Sequence, residues 1–237
     1  MHGQRDAMQG GAAHDERPVR VWDVPVRLFH WALAGFFAFQ FWSGETGGNA
    51  MQWHLYAGYG VLSLVLFRIL WGFFGSTYAR FASFARGPAA CLRYARQLFS
   101  RRPVPSLGHN PLGGWMVLAM LGALALQTVT GLFANDQIAT QGPLADLVSD
   151  AWSDRLSSVH AWNFYVLLGL VSLHIVAVLY YRLVKGQNLI GPMFSGVKRV
   201  PAKLAESAAP RPGGAWRALI VFAAALLAVY LVVQRPF

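Results

Sequence analysis

The chain has 237 residues, of which 55% are hydrophobic and 13% charged, with a net charge of +10 and a single cysteine, Cys91. Soluble proteins carry about 25% charged residues, so this composition argues for one polytopic membrane domain and against one or two soluble ones. A lone cysteine excludes a disulfide framework, a thiolate-held iron–sulfur cluster and covalent C-x-x-C-H haem attachment.

In chain order, residues 1–19 are predicted to be a disordered tail, rich in Gly and Gln and without apolar period. Nothing in it resembles a cleavable signal peptide, so the first apolar run is expected to direct insertion. Uncharged stretches then run Leu28 to Gly44, Thr46 to Phe67, Pro103 to Asn135, Leu156 to Tyr181 and Ala218 to Gln234. A span needs roughly 17 to 25 mainly apolar residues, which all five reach, the first and last narrowly. Between the second and third, Pro88 opens a predicted amphipathic helix with Leu92, Ala95, Leu98 and Phe99 on one face and Arg93, Arg96, Arg101 and Arg102 off it. Leu144, Leu147, Val148, Ala151 and Trp152 recur at helical spacing and predict an interfacial helix, with Asp146, Asp150 and Asp154 outside its apolar face. Residues 199–215 read as a linker to a fifth transmembrane helix within 216–237.

The charge follows this topology. Arg5, Arg17, Arg20 and Arg27 precede the first span, Arg80 to Arg102 fill the second connection, and Arg182 to Arg217 fill the fourth. The first and third connections are acidic, with Glu45, Asp136, Asp146, Asp150 and Asp154. The positive-inside rule therefore places the N-terminus in the cytoplasm and the C-terminus in the periplasm. A nucleic-acid-binding surface would not alternate with spans, so the expected surroundings are membrane lipid and no nucleic acid.

Of seven histidines, His2, His14 and His109 lie in polar or terminal surroundings where a solvated imidazole is the ordinary state. His30, His54, His160 and His174 lie in or at the edge of spans, where an ionisable side chain without a partner is costly. His160 and His174 are 14 residues apart, close to four helical turns, so they share a face about 21 Å apart in a core of roughly 30 Å. Alternating span direction then matches His30 in depth to His174, on the cytoplasmic side, and His54 to His160, on the outer side. Imidazoles paired across a helix bundle build a six-coordinate b haem. Zinc would need its ligands in one cluster, not at two depths. Arg68 falls 14 residues after His54, at the level of the cytoplasmic pair, where it either meets a haem propionate or snorkels to the surface. Arg27, one turn before His30, has the same two readings.

The runs VRVWDVPVRLFHW (Val19 to Trp31), WHLYAGY around His54, VHAWNFYVLLGLVSLH (Val159 to His174) and KGQNLIGPMFSG (Lys185 to Gly196) resemble the bacterial cytochrome b561 and Ni/Fe-hydrogenase b-type cytochrome family. The resemblance covers about residues 19 to 198, and residues 20–198 are read as a cytochrome b561-like di-haem membrane domain. It implies an all-α integral membrane protein of the cell inner membrane, a four-helix di-haem bundle, to which this chain adds a fifth helix. It also implies two non-covalent b haems held by His30, His54, His160 and His174, and electron exchange between quinone and a periplasmic redox protein such as a hydrogenase or a soluble cytochrome c.

The expected function is thus an electron-transfer cytochrome of a respiratory chain, the quinone-reactive subunit of an oxidoreductase, in a form compatible with an oligomer. Two alternatives are a stand-alone superoxide:quinone oxidoreductase, which a basic outer funnel would favour, and a proton-linked transporter with non-haem histidines.

Overall fold

The computed structural model describes residues 16–98 and 106–234. The elements are β1 (Glu16–Arg20), α1 (Val24–Thr46), α2 (Ala50–Phe74), α3 (Phe81–Phe84), α4 (Pro88–Leu98), α5 (Pro111–Phe133), α6 (Asp150–Leu183), α7 (Ile190–Ser195), β2 (Val197–Pro201), α8 (Ala202–Glu206) and α9 (Ala215–Val233). Among the described residues four helices, α2, α5, α6 and α9, are long and apolar enough to cross a membrane. The 23-residue α1 is not among them; Arg27, His30, Gln40, Ser43 and Glu45 interrupt its apolar run.

Local chemistry sets the helix starts. Asp23 accepts a hydrogen bond from the Val26 N–H at 2.8 Å, with Pro25 in the first turn, and this cap opens α1. Asn110 does the same for α5, accepting from the Gly113 N–H at 2.8 Å ahead of Pro111. At 34 residues, α6 is about 50 Å long at 1.5 Å per residue, so it carries a span and extends beyond it.

α1 packs on α2, α2 on α5, and α5 on α6, so the chain folds back and forth into a bundle. Val61, Val65, Leu124 and Leu167 close its centre, with Leu33, Phe36 and Phe37 packed against them. α9 lies outside, where Ala218 and Ala225 join Val26, Phe67 and Trp71 in a second cluster. Phe222 meets Phe67 edge-on at 5.7 Å. The approach to α9 is so close that a Cβ on Gly213 would come within 2.4 Å of the Trp71 ring.

Three segments differ from the sequence expectation. Residues 16–20, the end of the segment read as disordered, form β1 and pair antiparallel with β2, Val19 opposite Lys198. Alternating side chains explain it: Val19, Val21 and Val200 turn to one face and bury with Leu107 and Leu204. The linker region correspondingly contains β2 and α8, while residues 1–15 lie outside the described residues. The interfacial helix over residues 144–152 is absent as a unit: a 3-10 turn spans Ala145–Leu147 and the next helix starts at Asp150. Leu144 and Ala145 are buried, and the Leu144 N–H bonds back to the Leu132 carbonyl at 2.8 Å, so the apolar period served a loop folded onto the end of α5. The amphipathic helix is present as α4, but its inner face is Cys91, Tyr94, Ala95 and Leu98, with Leu92 exposed. Tyr94 Oη meets Tyr181 Oη at 2.9 Å, and Tyr180 Oη donates to the Leu98 carbonyl at 3.2 Å. Phe99, Arg101 and Arg102 lie outside the described residues.

Asp23 joins the cap to the core, since its second oxygen accepts from the fully buried Trp71 Nε1 at 3.0 Å. Asp23→Ala removes both bonds and should destabilise the protein by about 2 kcal/mol, lowering its unfolding temperature in detergent. Asp23→Asn, which keeps an acceptor for the cap, should recover part of the loss.

Candidate functional site: two facing pairs of imidazoles

The bundle brings the four span histidines together two by two. His54, in the first turns of α2, faces His160 of α6 with ring centroids 6.2 Å apart. His30 of α1 faces His174 of α6 at 6.4 Å. Imidazole nitrogens lie about 2 Å from a coordinated first-row metal, and each ring centroid lies a further ~1 Å behind its nitrogen. Two imidazoles on opposite sides of one ion should therefore stand about 6 Å apart, which is the spacing of both pairs. The donors come as two separate pairs of imidazoles, a set that would fit the iron of a haem.

The first pair lines a cavity of about 380 Å³ between α1, α2, α5 and α6, walled by Phe37, Phe41, Tyr59, Leu124 and Phe164. Phe164 stacks on Phe41 at 5.7 Å and Phe37 at 6.5 Å. Trp53, Tyr56 and Trp162, equally aromatic in sequence, are more than half exposed on the outside of the bundle. Each imidazole has its Nδ1 occupied: His54 Nδ1 lies 3.1 Å from Ser43 Oγ, and His160 Nδ1 lies 2.9 Å from the Gln127 carbonyl. A metal-ligating histidine has this form, with one nitrogen held by oxygen and the other left for the ion. Gly131 backs His160 so tightly that a Cβ there would meet its Cε1 at 2.9 Å.

The second pair is framed by cations. Arg68 is only 3% exposed, so it does not snorkel to the surface. Its guanidinium lies 5.4 Å from the Phe81 ring centroid, and its Nη1 is buried without a partner. Arg27 donates through Nη1 to the Phe194 carbonyl while its Nε is buried without a partner. Trp31 stacks on Phe194 at 4.5 Å and donates Nε1–H to the Met193 carbonyl at 3.3 Å, which fixes α7 beside His30. His109 corrects the solvated reading: its Nδ1 is sealed, and Trp22 and Phe84 wall the ring at 4.7 and 4.9 Å. Burial first, then the nearby charge of Arg68, hold its pKa well below the usual imidazole range.

Among the described residues the buried side-chain polar atoms without partners are Arg27 Nε, His30 Nδ1, Arg68 Nη1 and His109 Nδ1. All belong to this end of the bundle. Buried polar groups are nearly always bonded, so the orphaned guanidinium atoms Arg27 Nε and Arg68 Nη1 fit an anionic, multi-oxygen group such as the propionates of a haem. Ser43, Gln127, Asn163 and His109 escaped the sequence reading. The usable signal was polarity inside apolar runs: Asn163, 7% exposed, donates to the Ala123 carbonyl and to Gln127 Oε1 at 2.9 and 2.7 Å.

Long apolar helices carrying facing pairs of imidazoles fit a membrane cytochrome of the b type. Comparison with known proteins agrees, and the chain belongs to the prokaryotic cytochrome b561 family, whose model matches residues 21–196. It is 24% identical over 220 residues to a probable Ni/Fe-hydrogenase B-type cytochrome subunit of Rhizobium leguminosarum bv. viciae, covering 79% of this chain and 91% of the relative. It is 27% identical over 220 residues to the protein of the same name from Azotobacter vinelandii, covering 75% and 87%. No solved structure matches.

Because Gly131 leaves no room behind His160, Gly131→Val should displace that ring and lower the haem content of the purified protein. Gly122→Ala, at a position with open space around it, should leave the content unchanged. Haem assay per mole of protein measures both.

Proposed function

We propose that the chain is a di-haem b-type membrane cytochrome that carries electrons between the quinone pool and a periplasmic redox partner. The observation that carries this reading is the pairing of four imidazoles at two levels of one bundle, each pair at the spacing of trans ligands on one ion. His54 and His160 would hold one haem, His30 and His174 the other, with Arg68 and Arg27 taking propionate oxygens at the second. When bound, each haem supplies a one-electron iron couple. With two of this chain's histidines holding each iron, the site would suit electron exchange and not oxygen binding.

The surroundings support a five-span topology with a cytoplasmic N-terminus in the bacterial inner membrane. Arg27, Arg68, Arg93, Arg96 and Lys198 lie toward the His30–His174 end, while Glu45, Asp136, Asp146, Asp150 and Asp154 lie toward the other. This is the distribution expected for cytoplasmic and outer faces. The fifth span, α9, has no histidine and packs on the far side of α1 and α2, so it serves as a buttress. The hydrogenase named in the curated relatives is the kind of periplasmic partner the acidic face would receive.

The test is spectroscopic. The purified protein should carry two low-spin b haems per chain. His30→Ala and His174→Ala should remove the same redox component, and His54→Ala and His160→Ala the other. A single haem, a high-spin spectrum, or loss of one component by both His30→Ala and His54→Ala would refute the arrangement.

The acidic face generates a separate expectation. Asp136 is engaged by the Ile138, Ala139 and Thr140 N–H groups at 2.8–3.0 Å, which hold its carboxyl at about 2. Asp154 accepts from Asn135 Nδ2 at 3.1 Å and from Gln137. Asp146 and Asp150 are exposed, and their side chains can steer a basic protein through its long-range field. Neutralising Asp146, Asp150 and Asp154 together should slow electron exchange with the native partner and flatten its salt dependence. Both haem spectra should be unaltered.

A further inference from the structure

The two imidazole pairs are not equivalent in what stands behind them. At the outer pair both Nδ1 atoms face oxygen. Ser43 is fully buried, and its Oγ lies 3.3 Å from the Gln40 carbonyl and 3.1 Å from His54 Nδ1. If the hydroxyl proton is directed to the carbonyl, its one good hydrogen-bond acceptor, the oxygen lone pairs accept the His54 Nδ1–H. The His54 tautomer is then fixed with Nε2 free. His160 Nδ1 meets the Gln127 carbonyl at 2.9 Å, with Thr130 Oγ1 at 3.4 Å. At the cytoplasmic pair, His30 Nδ1 is buried and has no partner among the described residues.

We infer that Ser43 is a positioning residue that orients His54 and makes the outer haem the lower-potential of the two. The inference rests on the di-haem reading above. An imidazole that donates Nδ1–H to oxygen becomes a more basic ligand, which stabilises ferric over ferrous iron and lowers the potential. The charge distribution acts in the same direction. Glu45 and Asp136 line the outer cavity, and negative charge disfavours an added electron. Arg27, Arg68 and Lys198 stand at the cytoplasmic end, with Asp23 opposing them in part through its bonds to Val26 and Trp71. Hydrogen bonds to ligands and nearby charge are both recognised controls of cofactor potential.

The decisive experiment is a redox titration of the intact haem-loaded protein, following both b haems optically, with His54→Ala used to identify the outer component. Ser43→Ala should shift the lower-potential component upward and leave the higher one unchanged, with a matching change in the low-spin electron paramagnetic resonance signal of the outer haem. Ser43→Cys, nearly isosteric but a poorer acceptor, should shift it in the same direction by less and so separates the hydrogen bond from a packing defect. Ser43→Thr should restore the original value. Ser63→Ala deletes another buried hydroxyl, one bonded to the Tyr59 carbonyl at 2.8 Å and not to a histidine, and should move neither component. An outer haem that titrates above the cytoplasmic one in the unaltered protein overturns the inference. So does an unmoved outer component in both Ser43→Ala and Ser43→Cys. A protein without two haems fails the underlying reading instead, and that is established before any Ser43 variant is made.

Discussion

Everything in this bundle depends on holding four half-buried imidazoles in apolar surroundings, where a polar group without a partner is destabilising. The single long helix α6 meets half of that demand by itself. Its two histidines, four turns apart, face the same way at two levels, and α1 and α2 need only deliver one histidine each from opposite directions. The antiparallel fold of α1 against α2 accomplishes this because His30 and His54 both lie near the starts of their helices. Once those levels are matched, most of the remaining geometry is space management. Phe37, Phe41 and Phe164 wall the cavity, and Gly131 lets His160 lie flat against α5.

The two ends of the bundle solve the same problem with different chemistry. At one, oxygen atoms from Ser43 and Gln127 occupy the rear nitrogens of the imidazoles. At the other, Arg27 Nε, Arg68 Nη1 and His109 Nδ1 are buried around His30 without a partner among the described residues. The ribbon of β1 and β2 belongs to that second end: Gly196, just ahead of β2, accepts the Val21 and Trp22 N–H groups at 2.9 and 3.2 Å. Trp22 in turn packs on His109.

Much of this was legible in the sequence because helical periodicity and membrane thickness are rigid rulers. The 14-residue interval between His160 and His174 and the direction of each span give the pairing before any coordinates. Helix ends were less legible. The run from Leu156 extends back to Asp150, since charged residues are tolerated where a helix emerges from the apolar layer. Ser43 and His109 were invisible for opposite reasons. A serine inside a span is common and its partner is set by tertiary contact, while the polar neighbours of His109 in sequence say nothing of Trp22 and Phe84, which reach it from elsewhere in the chain. Residues 16–20 carry too few apolar side chains to announce a strand without the partner that lies some 180 residues later.

That long separation bears on how the protein is made. The strand beside the start of α1 finds its partner only after residue 201 has been synthesised, later in the chain than all of α1, α2, α5 and α6. The pocket of His54 and His160 needs nothing beyond α6, whereas the environment of His30 is closed by α7 and the ribbon through Met193, Phe194 and Gly196. Biogenesis therefore has a built-in order: the two imidazole pairs are enclosed one after the other, and the pair that includes His30, the nearer to the N-terminus, is the last to be sealed.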